Sequence, residues 1–457
     1  MNLRNVSRTV AGLTLMPMAG AQVLNAGFEL GSGSQTFTNW STYGNAYRDQ
    51  TQPYSGAYSL KLFGNFTGGA NSTGAFQVLD FKPGKRVEAT VWAMNRSADA
   101  MAGNNTAYLR ISFRNAANVD LVASESKRIT ASTTRNVFQQ LSASLDPAPV
   151  GTTKCVVQLI FQQASSTPNA AGSVLFDQIQ VKSGARGREL LVFADEFNGT
   201  TLGNTWEPMI GDGSAYGNPG WGNNELQYYT SRPENVSVSG GLLRIIARRE
   251  NYGGKQYTSA RLRSKGRLDF TYGRIEARMK VVSGTGLWPA FWMLPSSTKY
   301  GGWASSGEID IIETVNAATN AHYTVHHGGP WPDNQSIGTS TFLSTGWAAA
   351  FHTYALEWRP DSLRWLVDGV ERYRLNSTSW LSTVGSWNQR APFDEPFHVL
   401  LNLAVGGNWP GNPNAGTPFP AELQVDWVRL YQESEASPVN DIPLHLRRFF
   451  AGYPTQP

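Results

Sequence analysis

Three carboxylates lie within six residues, at Glu308, Asp310 and Glu313, and only isoleucines separate them. β-Branched residues at this density favour a strand. Side chains on a strand alternate between its faces, so Glu308 and Asp310 share one face and a regular pleat would place Glu313 on the other. One bulge residue between Asp310 and Glu313 would bring all three carboxylates to the same face.

Two glutamates placed in this way could cleave a glycosidic bond. The outer α-carbons of such a bulged strand are roughly 13 Å apart. Side chains that lean inward reduce the carboxyl separation to roughly 5 Å, which is the spacing of a retaining glycosidase. A calcium site and a solvated acidic strand face are the alternatives. Calcium loops of the EF-hand kind need glycine and oxygen donors at nearly every second position, whereas isoleucine fills this run.

The composition describes a globular protein with a polar, mostly uncharged surface. Of the 457 residues, 40% are hydrophobic and 16% are charged, and the 15 tryptophans exceed what a core requires. Indole rings suit the apolar face of a sugar, so surplus tryptophans suggest sugar-stacking surfaces, although some must pack in cores. The net charge is +4, but the lysines and arginines are scattered and form no basic run. The charge therefore indicates no nucleic-acid partner.

The first 21 residues have the pattern of a secretory signal peptide. Arg4 and Arg8 precede an apolar stretch, and Ala19-Gly20-Ala21 supplies a cleavage site. We therefore expect a secreted, extracellular protein. No later stretch approaches the length of a membrane span, and a monomer without a membrane partner is expected. The single cysteine, Cys155, excludes an internal disulfide and a cysteine-rich metal site.

Short runs of alternating apolar and polar residues fill most of the remaining chain. Clusters of glycine, asparagine, serine and proline separate them, which predicts an all-β protein built of sandwiches or jelly rolls. A small, polar stretch at residues 184–188 predicts a linker. We therefore expect a smaller sandwich over residues 22–183, a second domain over residues 189–432, and a C-terminal tail over residues 433–457.

Residues 189–432 resemble the laminarinase-type members of glycoside hydrolase family 16. These are concave β-jelly-roll enzymes, with a concanavalin A-like sandwich, that cleave β-linked polysaccharides. The resemblance is carried, in the family's order, by residues 195–199 (DEFNG), 220–229 (GWGNNELQYY), 286–295 (GLWPAFWMLP), 308–313 (EIDIIE), 325–329 (VHHGG), 406–411 (GGNWPG) and 426–429 (DWVR).

The resemblance implies that Glu308 is the nucleophile, Glu313 the general acid/base and Asp310 the carboxylate between them. Two carboxylates this close cannot both ionise easily, so one pKa rises and that residue can protonate the leaving oxygen. The other attacks the anomeric carbon, and water later releases the sugar with retained configuration. The implied activity is endo-hydrolysis of β-1,3-glucosidic bonds in laminarin-like or mixed-linkage glucan.

Substrate-binding residues are also implied by the resemblance. Trp288, Trp292 and Trp409 are expected to stack on glucosyl rings, with core packing as the alternative for each. Asn223 and Arg261 match polar contacts to sugar hydroxyls. An exposed arginine on a strand is the alternative for Arg261.

A histidine pair follows the carboxylate strand. His326 matches the histidine that lies near the acid/base in the family, and a hydrogen-bonding role is expected for it. The adjacent His327 would face the opposite side of a strand, so the two cannot bind one metal ion.

Many family members also hold one calcium ion far from the cleft. Glu196, Gly240 and Asp426 stand at the matching positions, and oxygen ligands suit calcium. Hydrogen bonding between the terminal strands is an equally good account of these residues. No redox or nucleotide cofactor is expected.

Residues 22–183 resemble carbohydrate-binding modules of the family 4 and 9 type at 23–29 (VLNAGFE) and 175–181 (LFDQIQV). These are framework motifs of a β-sandwich, so they indicate the fold more than the ligand. Aromatic residues in glycine- and serine-rich segments are expected to be exposed, which makes them candidate sugar contacts, and a purely structural sandwich is the alternative. The candidates are Trp40, Tyr43, Tyr47 and Tyr54.

Other functions remain open from the sequence. The carboxylate strand is shared by family members that act on lichenan, agar or xyloglucan. Non-catalytic β-glucan recognition proteins have the same fold but usually lack one or both glutamates. Transglycosylation would use the same covalent intermediate as hydrolysis.

Overall fold

The computed structural model describes residues 22–164, 171–185, 187 and 189–434. The expected signal peptide and nearly all of the expected tail therefore lie outside the described residues. Within them the protein is all-β, which confirms the predicted fold class. The described helices are 3₁₀ turns, none of them long and apolar enough to cross a membrane. They span Ser97–Asp99, Ser214–Tyr216, Pro219–Gly222 and Trp347–Ala349.

Two antiparallel sheets of five strands form the first sandwich. Its strands are β1 (Ser41–Tyr43), β2 (Asn45–Asp49), β3 (Ser59–Phe63), β4 (Asn71–Asp80), β5 (Lys85–Asn95), β6 (Thr106–Arg114), β7 (Asp120–Glu125), β8 (Gln139–Leu145), β9 (Lys154–Gln163) and β10 (Ser173–Ala185). One sheet has the order β1-β4-β9-β6-β7 and the other β2-β3-β10-β5-β8. Alternate residues such as Leu109, Phe161 and Phe176 fill the core between them.

A larger pair of sheets follows. Its strands are β11 (Glu189–Asp195), β12 (Glu207–Pro208), β13 (Gln227–Tyr229), β14 (Val236–Ser239), β15 (Leu242–Tyr252), β16 (Lys255–Ser259), β17 (Arg261–Arg263), β18 (Asp269–Phe270), β19 (Gly273–Lys280), β20 (Leu287–Pro295), β21 (Glu308–Glu313), β22 (Asn320–Gly328), β23 (Asn334–Phe342), β24 (His352–Arg359), β25 (Ser362–Val367), β26 (Val370–Asn376), β27 (Phe397–Val405) and β28 (Ala421–Glu433). The ten-stranded sheet has the order β13-β16-β15-β28-β19-β24-β25-β26, with β11 beside β28 and β14 beside β15. The eight-stranded sheet has the order β12-β17-β27-β20-β21-β22-β23, with β18 beside β27.

The eight-stranded sheet has one face in the core and one face open to the cleft. On β20, Leu287, Phe291 and Met293 are buried in the core, while Trp288 and Trp292 alternate with them and are only partly buried. This period of two is what a half-buried strand requires. Trp288 and Trp292, which precede the carboxylate run in the sequence, therefore lie on the cleft face.

Separate apolar cores lie in the two sandwiches. Strand β10 continues to Ala185, two residues into the predicted linker, and β11 begins at Glu189 and pairs with β28. Strand β28 ends at Glu433, the first residue of the predicted tail. The predicted domain boundaries themselves stay predictions.

Candidate active site

A bulge in β21 brings the three carboxylates to the cleft face. Phe291 of β20 pairs with Ile312 and the next residue, Trp292, pairs with Asp310, so Ile311 has no partner across the ladder. The pairing of β21 with β22 shifts at the same place. The predicted bulge is confirmed. All three isoleucines of the run are buried in the core, which anchors the strand beneath the cleft.

Glu308 has one hydrogen-bond donor and one ion-pair neighbour. The indole Nε1 of Trp303 donates to Glu308 Oε2 over 2.7 Å, and His326 Nε2 lies 3.7 Å from Glu308 Oε1. Burial, followed by the neighbouring Asp310 carboxylate, raises the pKa of Glu308 to about 7. The histidine, the indole N–H and the more distant Arg261 oppose that rise, because each favours the ionised form.

Glu313 has a different set of neighbours. Trp288 Nε1 donates to Glu313 Oε1 over 2.9 Å. Burial and the Asp310 carboxylate raise the pKa of Glu313 well above its ordinary value. Asp310 therefore acts on both glutamates, whereas the guanidinium of Arg261 favours ionisation of Glu308. This asymmetry suits Glu308 to attack as a carboxylate and Glu313 to hold a proton.

His326 is the positive charge nearest to the carboxylates Glu308 and Asp310. Its Nε2 lies 3.4 Å from Asp310 Oδ2 as well as close to Glu308. Burial lowers the pKa of His326, but Asp310 and the two glutamates outweigh burial and raise it to about 9. The resemblance implies a position near Glu313. In the structure His326 instead contacts Glu308 and Asp310, and His322 stands across the ladder from Glu313.

His327 is turned away from the carboxylates. It is buried, and its Nδ1 accepts from the backbone N of Leu381 over 3.4 Å. The expected opposite orientation of the two adjacent histidines is confirmed by the alternation of buried and partly buried residues along β22. The pair therefore does not form a metal site.

Trp288 and Trp409 form one wall of the cleft. Their rings meet edge to face with centroids 5.3 Å apart, and the His322 ring approaches Trp409 at 4.8 Å. Trp409 is 43% exposed, so core packing does not account for it. An exposed indole beside a partly buried one, which itself bonds Glu313, is suited to holding a sugar ring at the acid/base.

Trp292 and Arg261 belong to a buried part of the site. Trp292 Nε1 donates to Asn402 Oδ1 over 2.7 Å. The Arg261 guanidinium lies between two indoles, 4.4 Å from the ring of Trp221 and 4.7 Å from that of Trp292. Arg261 is buried, so the alternative of an exposed strand arginine is wrong. Its stacking holds the Trp292 ring in place, and its contact with sugar stays a prediction.

Sequence reasoning missed a polar network beneath Trp292. Gln227 Nε2 and the Tyr229 hydroxyl both donate to Glu225 Oε2, over 2.6 and 3.2 Å. Asn402 Nδ2 donates to the Tyr229 oxygen over 3.3 Å and so connects this network to Trp292. The alternation Glu225, Gln227, Tyr229 was a signal that these side chains share one face.

Asn223 lies where two loops meet. Its carbonyl accepts from the Asn408 backbone N over 2.8 Å, and the neighbouring Asn224 side chain donates to Asn408 Oδ1 over 2.9 Å. Asn223 is partly buried beside Gly407, next to the Trp409 loop. The structure therefore places Asn223 near Trp409, so the two residues could contact the same substrate.

Trp303 is a second residue that the sequence did not single out. It is 41% exposed and lies five residues before Glu308 in a glycine-rich turn. Nothing in its spacing indicated which acceptor its indole would find. The signal available was an exposed tryptophan directly before the carboxylate strand.

Two of the three predicted calcium ligands, Glu196 and Asp426, are paired with arginines in the structure, and the calcium site itself stays a prediction. Glu196 is bonded at both oxygens by Arg429, over 2.8 and 3.0 Å, and Asp426 pairs with Arg278. A bidentate arginine removes the negative charge that would attract a cation. These contacts tie together β11, β19 and β28, which is the alternative account of Glu196 and Asp426. Gly240 lies in the turn between β14 and β15 with φ of 62°.

The four aromatic candidates of the first sandwich have different surroundings. Trp40 is buried in the core and donates to the Asn25 carbonyl, so the expectation that it is exposed is wrong. Tyr47 packs on Phe63. Tyr54 stacks on Trp92 with centroids 4.4 Å apart. Tyr43 lies on β1 of the β1-β4-β9-β6-β7 sheet, on the face that points away from the core.

Comparison with known proteins relates the second sandwich to one enzyme family. The profile of the glycosyl hydrolases family 16 matches residues 223–429. The chain is 44% identical over 255 residues to a beta-glucanase of Rhodothermus marinus, covering 53% of this chain and 85% of the relative. It is 40% identical over 289 residues to glucan endo-1,3-beta-glucosidase A1 of Niallia circulans, covering 58% of this chain but only 42% of that relative. The solved laminarinase from Rhodothermus marinus is 42% identical, with 55% of this chain and 99% of that chain covered and a TM-score of 0.49.

A carboxylate pair on a bulged strand, within a cleft lined by indoles, defines a glycoside hydrolase. The 44% identity to the beta-glucanase of Rhodothermus marinus, over 85% of the length of that relative, is specific enough to name the family. The chain belongs to glycoside hydrolase family 16.

Proposed function

We propose that the protein hydrolyses internal β-1,3-glucosidic bonds of β-glucans with retention of configuration. One observation carries the chemistry: Glu308 and Glu313 lie on one bulged strand with different surroundings, so that one ionises more readily than the other. The substrate class is supported by the relatives, which include glucan endo-1,3-beta-glucosidases.

The first step breaks the glycosidic bond. Protonated Glu313 gives its proton to the leaving oxygen while a Glu308 carboxylate oxygen attacks the anomeric carbon. The released chain departs as an alcohol and an ester to Glu308 forms. Trp303 supplies a hydrogen bond to Glu308 and His326 a nearby positive charge, which together keep the nucleophile ionised before attack.

The second step releases the sugar. Glu313, now a carboxylate, takes a proton from water, whose oxygen attacks the anomeric carbon from the side that the leaving group vacated. The bond to Glu308 breaks and the carboxylate is restored. Trp288 keeps its hydrogen bond to Glu313 in both steps, which holds the carboxyl group in one orientation.

A product analysis tests this proposal. Laminarin, lichenan, agarose and xyloglucan are incubated with the protein, and the linkage and anomer of the first products are determined by NMR. We expect cleavage of β-1,3-glucan with the β-anomer formed first. If the α-anomer formed first, the proposed retention of configuration would be wrong. If laminarin were not cleaved, the proposed substrate class would be wrong. Glu308→Gln should bind laminarin without turnover.

We also propose that the first sandwich is a carbohydrate-binding module. On its β1-β4-β9-β6-β7 sheet, Tyr43 pairs with Gly74, Gly74 with Ile160, and Ile160 with Tyr108, so these residues form a row across one face. The core residues alternate with them on the opposite face. Tyr43 is only partly buried, and an exposed ring on a sheet face suits a sugar.

Gly74 supports this interpretation. A Cβ at Gly74 would lie 2.6 Å from the Tyr43 hydroxyl oxygen, so only glycine lets the Tyr43 ring lie flat on the sheet. Beside the row, Arg110 donates to Gln158 Oε1 over 3.2 Å, and Phe76 lies 6.5 Å from the Tyr43 ring. Flat aromatic surface with amide and guanidinium groups is the chemistry that binds sugar chains.

Pull-down on insoluble β-1,3-glucan tests the proposed module. Tyr43→Ala in the full chain should weaken binding to the solid, while turnover of a soluble oligosaccharide stays unchanged. Tyr47→Ala, on β2 of the other sheet, is the matched control. Equal retention of both variants on the solid would reject the Tyr43 face.

Secretion is proposed from the sequence alone. Arg4 and Arg8, the apolar stretch and Ala19-Gly20-Ala21 support a cleaved signal peptide. N-terminal sequencing of protein recovered from the culture medium should begin at Gln22.

A further inference from the structure

One segment of the second sandwich touches the first sandwich on one side and the catalytic strands on the other. We call residues 377–391, between β26 and β27, the bridging segment. It contacts both through backbone groups and buried side chains. A shift of the first sandwich would therefore also move the residues beside the catalytic strands.

On the side of the first sandwich, the bridging segment extends the edge of β8. Gln389 Oε1 accepts from the backbone N of both Ser142 and Lys127, each over 3.0 Å, and Gln389 Nε2 donates to the Ser142 carbonyl over 2.8 Å. The backbone N of Gln140 donates to the Trp387 carbonyl over 2.6 Å. Gln389 is buried and uses both ends of its amide here, which leaves the segment little freedom to shift along β8.

Charged and aromatic contacts fix the same junction. Arg390 Nη2 lies 2.7 Å from Glu88 of the first sandwich and 2.9 Å from Asp361 of the second. Trp92 of β5 stacks on Trp387 with centroids 6.1 Å apart. A module held only by a flexible linker would not need such buried polar contacts.

Lys127 of the first sandwich also bonds the bridging segment. Its Nζ donates to the backbone carbonyl of Trp380, inside the bridging segment. Burial lowers the pKa of Lys127 to about 8. Taking an ammonium group out of water is unfavourable unless its donors are used, so this contact holds Lys127 and Trp380 in one relative position.

On its other side the bridging segment is bonded to the end of β22. The backbone N of Gly328 donates to the Leu381 carbonyl over 2.9 Å, and that of Thr383 donates to the Gly328 carbonyl over 3.0 Å. The backbone N of Leu381 donates to His327 Nδ1. These residues adjoin His326, the histidine that contacts Glu308.

The segment also supports the turn that carries Trp303. Ser382 Oγ donates to the Ser305 carbonyl over 3.4 Å, and Asn388 Nδ2 donates to the Tyr300 hydroxyl oxygen over 3.2 Å. Tyr300 and Ser305 flank Trp303, whose indole bonds Glu308. Trp303 and His326, two of the three groups that favour ionised Glu308, therefore lie next to residues held by the bridging segment.

We propose that the first sandwich is a positioning element of the catalytic site: the bonds of Lys127 to Trp380 and of Ser142 to Gln389 hold the bridging segment so that Trp303 and His326 stay against Glu308. The inference rests on the proposed glucanase function. This positioning role differs from tethering of insoluble glucan. Positioning should affect turnover of every substrate, including short soluble ones that the Tyr43 face does not need to capture.

The test compares Lys127→Met with Lys82→Met in the full chain. Methionine keeps an unbranched side chain as far as the ε-carbon and removes the donor, and Lys82 is an exposed lysine of the same sandwich. Kinetics on a soluble β-1,3-gluco-oligosaccharide are measured together with amide hydrogen exchange. We expect Lys127→Met to lower kcat about tenfold with KM within about twofold. Exchange should become faster in residues 300–307 and 380–390, and Lys82→Met should match the wild type.

Gln389→Leu provides a second variant, since it removes the same junction from the other side, without any substitution in the first sandwich. It should lower kcat in the same direction at temperatures where both variants are folded. An unchanged kcat, or a lowered kcat without faster exchange in residues 300–307, would overturn the inference while leaving the glucanase function intact. Failure of the wild type to cleave any β-1,3-glucan would instead overturn the proposed function, and with it the catalytic role of this contact.

Discussion

His326 stands directly across the β21–β22 ladder from Glu308, with its Nε2 3.7 Å from Glu308 Oε1. The pKa of His326 is raised to about 9, so the imidazole is charged at neutral pH. A cation at this distance stabilises the carboxylate form of Glu308, whose pKa burial and Asp310 raise to about 7. The ladder register therefore places a cation where it favours the ionised form of Glu308.

This pairing predicts the pH profile. Glu308 must be ionised, and its pKa lies above the ordinary value, so kcat/KM should fall as the pH drops below about 7. Glu313 must be protonated, and its raised pKa keeps the proton to higher pH. His326→Gln removes the cation, so the acidic limb of the kcat/KM profile should move upward by about 0.5 to 1 pH unit. An acidic limb that stays in place or moves downward would show that His326 does not act on Glu308.

The hydrogen bond from Trp303 to Glu308 should also matter for turnover. Trp303→Phe keeps an aromatic ring and removes the donor, and a bond to a charged acceptor contributes about 1.5 to 3 kcal/mol. We expect kcat on laminarin to fall about tenfold or more. Trp427→Phe, on β28 of the ten-stranded sheet, is the control and should keep wild-type kcat. Equal rates for the two variants would remove Trp303 from the mechanism.

The chemistry of the site was more predictable than its surroundings. The run from Glu308 to Glu313 combines strand propensity with two carboxylates that only a bulge can align, so local rules sufficed for the bulge. Arg261 shows where such rules fail. Its alternation suggested an exposed strand face, but two indoles from distant segments cover it, and contacts between distant segments are not encoded in a local pattern.

The first sandwich gives the same lesson. Its strand pattern was clear, yet Trp40 was expected on the surface because glycine and serine surround it. The ring packs instead on Phe28 in the core. The bridging segment could not be foreseen either, because Gln389 and Lys127 are ordinary polar residues until the two sandwiches meet.

Asn402 should control the position of Trp292. It accepts from the indole and donates to Tyr229, so Asn402→Leu leaves a buried indole N–H and a buried network without a partner. The free energy of unfolding should fall by about 1 to 3 kcal/mol in urea titrations. KM for laminarin should rise because the Trp292 ring is no longer fixed. Val399→Leu, a core substitution on the same strand, is the control for a general packing defect and should change stability without changing KM. A KM equal to that of the wild type for Asn402→Leu would show that Trp292 does not contact substrate.

Calcium should have little effect on this protein. Arg429 occupies both oxygens of Glu196, and Arg278 pairs with Asp426, so a bound ion would have to displace two ion pairs. Thermal unfolding is measured after EDTA treatment and again with millimolar calcium chloride. The two Tm values should agree within about 1 °C, because an ion that does not bind the folded state cannot stabilise it. Arg429→Gln is the informative variant, since it frees Glu196: a calcium-dependent rise in its Tm would show that arginine has replaced the ion here. A clear calcium-dependent rise in the wild-type Tm would instead establish the ion site that Glu196, Gly240 and Asp426 suggested.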